Sequence, residues 1–466
     1  LYGYLLATQT ELGFTLLALV IALFVAMVCF MNAELALYIN IFYSFFAYHI
    51  SRYLFNDEFP VGIVTDILIG ITLLSLVTRP LKIKADFNNF IRNTIIVWLI
   101  VIVLYHLLEL FNPNAHSFEG WFQVFRRLLS ASVFFFIAYC VLDDYKKIKR
   151  FITILFVFAL IAALYGCIQQ WHGLFEFEKA WVKSDEVRFT LMFIYGDYRK
   201  FSTMSDPAAF GMIMSACAVF FIVLAISSKK PLLRYGLLAG CVFMLLGMSY
   251  SGTRTAIAMT IGSLFIFILL TLNKASTKLF AFFMFFLFMF LMYVPIYNNA
   301  TLIRFRTSFS GSNDQSYKVR EMNRAHIQPY IYTHPFGGGL YTTGGAGAKY
   351  NPGHYLAGFP PDSGYLKKAL ETGWIGLLLI ATFYFVVLRY AVRGYFQTQN
   401  SYYKPIYAAS IALLFAFYIG EFSQEAIGQI TDMVIYYPII AIILRLRSFD
   451  EAKRQKLIKI DLLLNK

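Results

Sequence analysis

Charge is what this sequence has least of. Of 466 residues, 59% are hydrophobic and 14% are charged, where soluble globular domains carry about 25% charged residues. The chain therefore belongs with integral membrane proteins. Other absences narrow the reading. The five cysteines, Cys29, Cys140, Cys167, Cys217 and Cys241, all fall in apolar runs, and none has CxxC spacing. That argues against a disulfide framework and a metal knuckle. There is no HxxxH or HExxH pair and the carboxylates are scattered, so no metal site is expected. GxxxxGK[ST] is missing, so the glycines after His334 are no phosphate loop. They read as a tight, close-packed turn. No internal repeat of transporter type is evident. The formal charge of +14 fits cytoplasmic loops rich in Lys and Arg, so nucleic acid is not an expected partner.

What remains is a series of apolar runs of membrane-spanning length. At roughly 20 residues per crossing, thirteen segments emerge: about 12–31, 33–55, 61–78, 91–111, 121–141, 150–170, 207–227, 232–249, 252–271, 278–296, 363–389, 404–422 and 428–446. A short Met31-Asn32-Ala33-Glu34 break separates the first two, so twelve true spans would also fit. The first run has no A-x-A-like cleavage site and reads as a membrane helix rather than a signal peptide. The expected fold is an all-α polytopic membrane protein with about 12–13 helices. It divides into N-terminal helices (1–296), one large loop carrying short helices (297–362), C-terminal helices (363–447) and a basic tail (448–466).

Cations set the orientation. The connections after segments three, five, seven, nine and eleven carry clusters such as Lys146, Lys147, Lys149 and Arg150, whereas 112–120 and 421–429 carry none. The basic side is cytoplasmic by the positive-inside rule. The large loop and the 171–206 connection then face outward, where chemistry needs an already activated donor because there is no ATP.

Four outward arginines could hold an anion. Arg199 precedes Asp206-Pro207, an N-cap and first-turn pair whose helix end favours negative charge. Arg254 lies in the Ser251-Gly252-Thr253 turn and could meet a diphosphate oxygen or the carbonyls of the preceding helix. Arg320 and Arg324 share a face at i, i+4 spacing if 316–326 is helical, and guanidinium binds phosphate bidentately. Arg126 and Arg127 read as contacts to lipid headgroups. Among the histidines His106, His116, His172, His326, His334 and His354, one could act as a general base.

Three features in order resemble the bacterial O-antigen ligase and O-antigen polymerase superfamily: SGTRTA (251–256), the arginine-bearing stretch 317–326 followed by HPFGGGL (334–340), and DSGYLKKALETGWIG (362–376). RKFSTMSDPAAFG (199–211) also matches an arginine-containing segment of that family. The resemblance implies a GT-C-like, metal-independent, inverting glycosyltransferase with no cofactor, working on the periplasmic face of the bacterial inner membrane. Its donor would be a glycan on undecaprenyl diphosphate, and its acceptor another lipid-linked glycan or lipid A–core. Arg199, Arg254, Arg320 and Arg324 would bind the diphosphate, with Arg320 also catalytic. Where ligases show His-Asn, this chain has Asp362-Ser363. The base is then Asp362 itself or His354, and a polymerase or a ligase with a different acceptor is favoured. Asp362 is also placed to N-cap the eleventh segment. The competing reading is a lipid-linked glycan flippase.

Overall fold

The computed structural model describes the backbone of residues 10–78, 80–194, 196–296, 302–303, 306 and 315–464, and the side chains of these except 10–12, 14–15, 80–85, 315–317, 319–320 and 456–464. It is an all-α membrane protein. In chain order the helices are α1 (Thr10–Met31), α2 (Ala33–Phe55), α3 (Val61–Val77), α4 (Pro80–Ile91), α5 (Thr94–Leu108), α6 (Phe118–Val141), α7 (Tyr145–Trp171), α8 (Glu176–Lys183) and α9 (Glu186–Met192). A two-residue hairpin, β1 (Phe193–Ile194) and β2 (Asp197–Tyr198), follows. Then come α10 (Pro207–Ser227), α11 (Pro231–Tyr250), α12 (Arg254–Leu270), α13 (Ala275–Tyr293), α14 (Gln315–Thr333), α15 (Gly344–Tyr350), α16 (Gly364–Glu371), α17 (Gly373–Gln397), α18 (Tyr403–Gly420) and α19 (Ile430–Leu464).

All thirteen apolar segments contain a helix, and eight of the described helices are long and apolar enough to cross a bilayer outright. The first break is real. Asn32 leaves helical geometry and its side chain accepts from the amides of Glu34 and Leu35 at 3.0 and 3.2 Å, starting α2 afresh. Asp206 caps α10 in the same way, accepting from Ala208 and Ala209 with Pro207 in the first turn.

Helix α10 is the bundle's axis, buried along almost its whole length. Its neighbours approach closely because glycines face aromatic rings. A Cβ on Gly166 would stand 2.4 Å from the Phe210 ring, and one on Gly240 equally close to Phe156. Small residues at such crossings let helix backbones meet where no water drives association. At the other extreme α13 presents Phe282, Phe283, Phe285, Phe286 and Phe290 outward, a face suited to lipid.

The connections sort to two ends. At one, Trp181 reaches Asp57 at 2.9 Å, Ser205 reaches Gln429 at 2.9 Å, and Asn112 donates to the Phe336 carbonyl at 3.1 Å. At the other, Arg445 pairs with Asp86 at 2.8 Å and Asn93 meets Tyr390 at 3.0 Å. The first set lies at the end that carries the large loop, which Asn112 contacts, and we call it the loop end.

One expected span is not a single helix. The 363–389 run is broken between α16 and α17 at Thr372, and Gly373 holds φ +66°. A side chain there would meet the Pro335 carbonyl oxygen at 1.8 Å. The HPFGGG turn is docked on this break. The amides of Gly338 and Gly339 donate to the carbonyls of Leu370 and Glu371 at 2.8 and 2.9 Å, filling the acceptors that a helix end leaves open. At the far end of the chain, α19 continues without interruption from the last apolar segment into the basic tail.

Candidate active site

A cavity of about 460 Å3 opens within the loop end of the bundle, between α3, α5, α6, α16, α17 and α19. Its inner wall is apolar: Leu99, Ile102, Leu128, Ile380, Phe383 and Met433, with Tyr384, Tyr436 and Tyr437 alongside. Its polar wall carries four cations, Arg126, Arg127, Lys367 and Lys368, and four acids, Asp57, Asp66, Glu371 and Glu425. A space apolar in depth and charged toward one end suits an amphipathic ligand.

Local structure explains each of these groups. Ser117 caps α6 through the Gly120 amide at 3.0 Å, and the helix carries Arg126 and Arg127 two to three turns later. Arg126 forms an ion pair with Asp66 of α3, whose other oxygen takes a hydrogen bond from Ser130 at 2.5 Å. Arg127 has no ion pair among the described residues; its guanidinium lies 5.7 Å from the Tyr341 ring. Lys367 and Lys368 are consecutive on α16. Lys367 pairs with Glu425 at 2.8 Å and Lys368 with the fully buried Glu421. Gly364 makes room for that acid, since a Cβ there would stand 2.2 Å from its carboxylate.

Burial raises the pKa of the Glu371 carboxyl, outweighing Lys367 and the Thr343 hydroxyl that donates to it at 2.5 Å. Glu421 is raised by burial in the same sense, against Lys368. Burial works to lower Lys367, but Glu425 and Glu371 override it and hold the ammonium above the usual lysine range. Burial likewise works to raise Glu425, but Lys367 and Lys368 bring it below the carboxylate norm.

Tyr341, also in the wall, has φ +55°, a left-handed backbone uncommon for a bulky side chain. It is held there by Asn351, which donates to its carbonyl at 2.9 Å, and by stacking on Tyr350 at 5.6 Å. Asn351 also accepts from the amides of His116 and Ser117 at 3.3 and 3.1 Å, tying the large loop to the start of α6.

The arginines singled out in the sequence stand elsewhere. Arg199 is spent on the neighbouring turn: Nε donates to the Ser251 carbonyl at 2.9 Å and Nη2 to Thr253 Oγ1 at 3.0 Å. Arg199 thus holds the carbonyl that follows the end of α11. Arg254 opens α12 after Thr253. Arg324 donates to the Phe422 carbonyl at 3.3 Å and lies over that ring. Ser423 next to it meets Thr255 at 2.8 Å. Arg199, Arg254 and Arg324 thus gather about the 251–255 turn and the 421–423 loop, outside the cavity wall. Arg320 falls on α14, in helical register with Arg324; its side chain lies outside the described residues.

Asp362 does not cap the following helix. Ser363 does, accepting from the Leu366 amide at 3.4 Å while its hydroxyl donates to the Glu421 carbonyl at 3.0 Å. In His354, Nδ1 accepts the Leu356 amide at 3.1 Å, so the proton of the neutral ring sits on Nε2 and the ring offers a donor. Burial, and the positive charge available to His116 and His334, lower its pKa. Neither Asp362 nor His354 lines the cavity.

Residues 239–381 match the model of the family described as O-antigen ligase. The match covers about a third of the chain. A search of curated proteins finds no match for the chain. The O-antigen ligase stretch contains Arg254, Arg320, Arg324, His354 and Asp362, and also Lys367, Lys368 and Glu371 of the cavity wall. It does not reach Arg126 and Arg127, which the sequence reading had left to lipid headgroups. A signal for these two was present: Asp66 is an acid inside an apolar run, and an intramembrane charge implies an opposite partner on another helix.

Proposed function

We propose that this protein is a surface-polysaccharide polymerase or ligase. It moves a glycan from undecaprenyl diphosphate to an acceptor hydroxyl at the periplasmic face of the bacterial inner membrane, without a metal. The observation that carries the reading is the cavity: four cations at the loop end of an apolar-walled space within a membrane bundle. The prenyl chain lies along the apolar wall, and the diphosphate meets Arg126, Arg127, Lys367 and Lys368. Preorganised cations stabilise the charge that develops on a departing diphosphate. The acceptor oxygen attacks the anomeric carbon from the side opposite the diphosphate, so the configuration inverts. The arginines away from the cavity wall, Arg199, Arg254 and Arg324, edge the route by which the second substrate approaches, with Arg320 on the same helix as Arg324. The O-antigen ligase match supports this assignment.

The test is reconstitution in nanodiscs, with chelator and no ion gradient, using an undecaprenyl-diphosphate glycan alone or with lipid A–core. Longer chains on the carrier are expected of a polymerase, and glycosylated lipid A–core of a ligase. No product, with gradient-driven movement of donor across proteoliposomes, would instead establish a flippase. Arg320→Ala is expected to abolish transfer while the protein remains folded, and wild-type turnover in that variant would remove Arg320 from the site. On the acceptor side, Asp362→Asn is expected to cost more turnover than His354→Ala, because the His354 ring already spends Nδ1 on a backbone amide.

A further inference from the structure

His106 lies in the last turn of α5, 8% exposed, with its ring on the cavity wall. Its Nδ1 stands 2.9 Å from the Ile102 carbonyl. A carbonyl oxygen only accepts, so Nδ1 carries the proton, and in the neutral ring Nε2 keeps its lone pair. No protein group among the described residues engages Nε2. The turn of α5 that carries the ring is firmly held. Trp121 donates to the His106 carbonyl at 2.8 Å, and the adjacent Tyr105 hydroxyl donates to the Thr372 carbonyl at 2.7 Å. That second bond ties this turn of α5 to the helix break beside Glu371.

This geometry limits what His106 can meet. A lone pair on Nε2 repels a phosphate oxygen, which also only accepts. Its partner must bring a hydrogen, and in a site for a lipid-linked glycan that group is a hydroxyl. His354 has the opposite tautomer and lies outside the cavity.

We propose that His106 is the general base of the transfer reaction, a role that rests on the glycan-transfer reading above. The acceptor O–H gives its proton to Nε2 as its oxygen bonds to the anomeric carbon. The bond from that carbon to the diphosphate oxygen breaks, and its electron pair leaves on the diphosphate against Arg126, Arg127, Lys367 and Lys368. The imidazolium keeps its Nδ1 bond to Ile102 and returns the proton to the released diphosphate.

Two substitutions separate this role from its alternatives, in nanodiscs with the undecaprenyl-diphosphate glycan as donor. His106→Asn can still donate to Ile102 but has nothing at the Nε2 position. His106→Gln places an acceptor near that position that cannot take up a proton. Both are expected to lower kcat by about 10²–10⁴-fold with donor KM changed by no more than about threefold, the split of a group acting in the transition state. Wild-type kcat in His106→Asn would overturn the proposal. Near-normal kcat in His106→Gln would overturn it too, leaving His106 as a reader of a sugar hydroxyl. If neither variant elutes as folded protein, His106→Ala with added imidazole decides: recovered turnover supports the base, and none overturns it. A wild-type protein that makes no product at all sinks the transfer reading itself, whereas active wild type with active variants sinks only the role of His106.

Discussion

Two groups of cations stand at the loop end, and they are used in opposite ways. Arg199 and Arg324 direct their guanidiniums at backbone carbonyls, those of Ser251 and Phe422, and so knit loops together. Arg126, Arg127, Lys367 and Lys368 line open space. Guanidinium chemistry is the same in both; what differs is whether neighbouring backbone has already claimed the donors. Within the cavity group the contrast recurs: Arg126, Lys367 and Lys368 face carboxylates, while Arg127 rests against an aromatic ring. Arg127 is therefore the cation with most to give to a diphosphate.

The largest expected effect follows from that difference. Arg127→Ala should lower kcat/KM for the lipid-diphosphate donor by about 10²–10³-fold, the loss typical of removing one preorganised charge-stabilising donor. Thermal stability should change by about 0.5 kcal/mol or less, because no ion pair is broken. Arg127→Lys should recover part of the loss, since it restores charge without the bidentate fork. Turnover at the wild-type level in Arg127→Ala would remove the cavity from the donor site.

The opposite pattern is expected for Arg199. Ser251 is fully buried, and Thr253, which also donates to the Pro207 carbonyl at 3.0 Å, is 5% exposed. Arg199→Ala leaves the Ser251 carbonyl without this donor and should cost about 1–3 kcal/mol of stability, with donor KM nearly unchanged in the protein that remains folded. A loss of donor affinity as large as that of Arg127→Ala would erase the distinction between the two groups and return Arg199 to the diphosphate.

The spans were legible because membrane helices announce themselves by length and apolarity, and the sorting of loops to two ends followed from where Lys and Arg cluster. The Asp206-Pro207 cap could be read from residue type alone. The break at Thr372 could not: the reason for it is the HPFGGG turn, over thirty residues earlier, pressing the Pro335 carbonyl to where a side chain at 373 would stand. The uses of Arg199 and Arg127 were hidden for the same reason. Each depends on which turn or ring from a distant segment packs beside it, and local pattern carries no such information. His106 looked like one loop-end histidine among several until Ile102 fixed its tautomer and the cavity reached its other nitrogen.

His354 gives the smallest effect. Its pKa is lowered from the ordinary value of 6.5, first by burial and then by His116 and His334. The unfolded chain therefore binds a proton at a pH where the folded protein still excludes it. Stability rises with pH wherever the unfolded state holds more protons. The contribution from this ring is thus fully present above 6.5 and is lost as pH falls below it. His354→Gln should flatten that acid-side slope of the melting temperature and leave the melting temperature at alkaline pH almost unchanged. An unaltered slope would mean that the ring is protonated freely in the fold, and His354 would then be as open to solvent and ligand as the cations of the cavity.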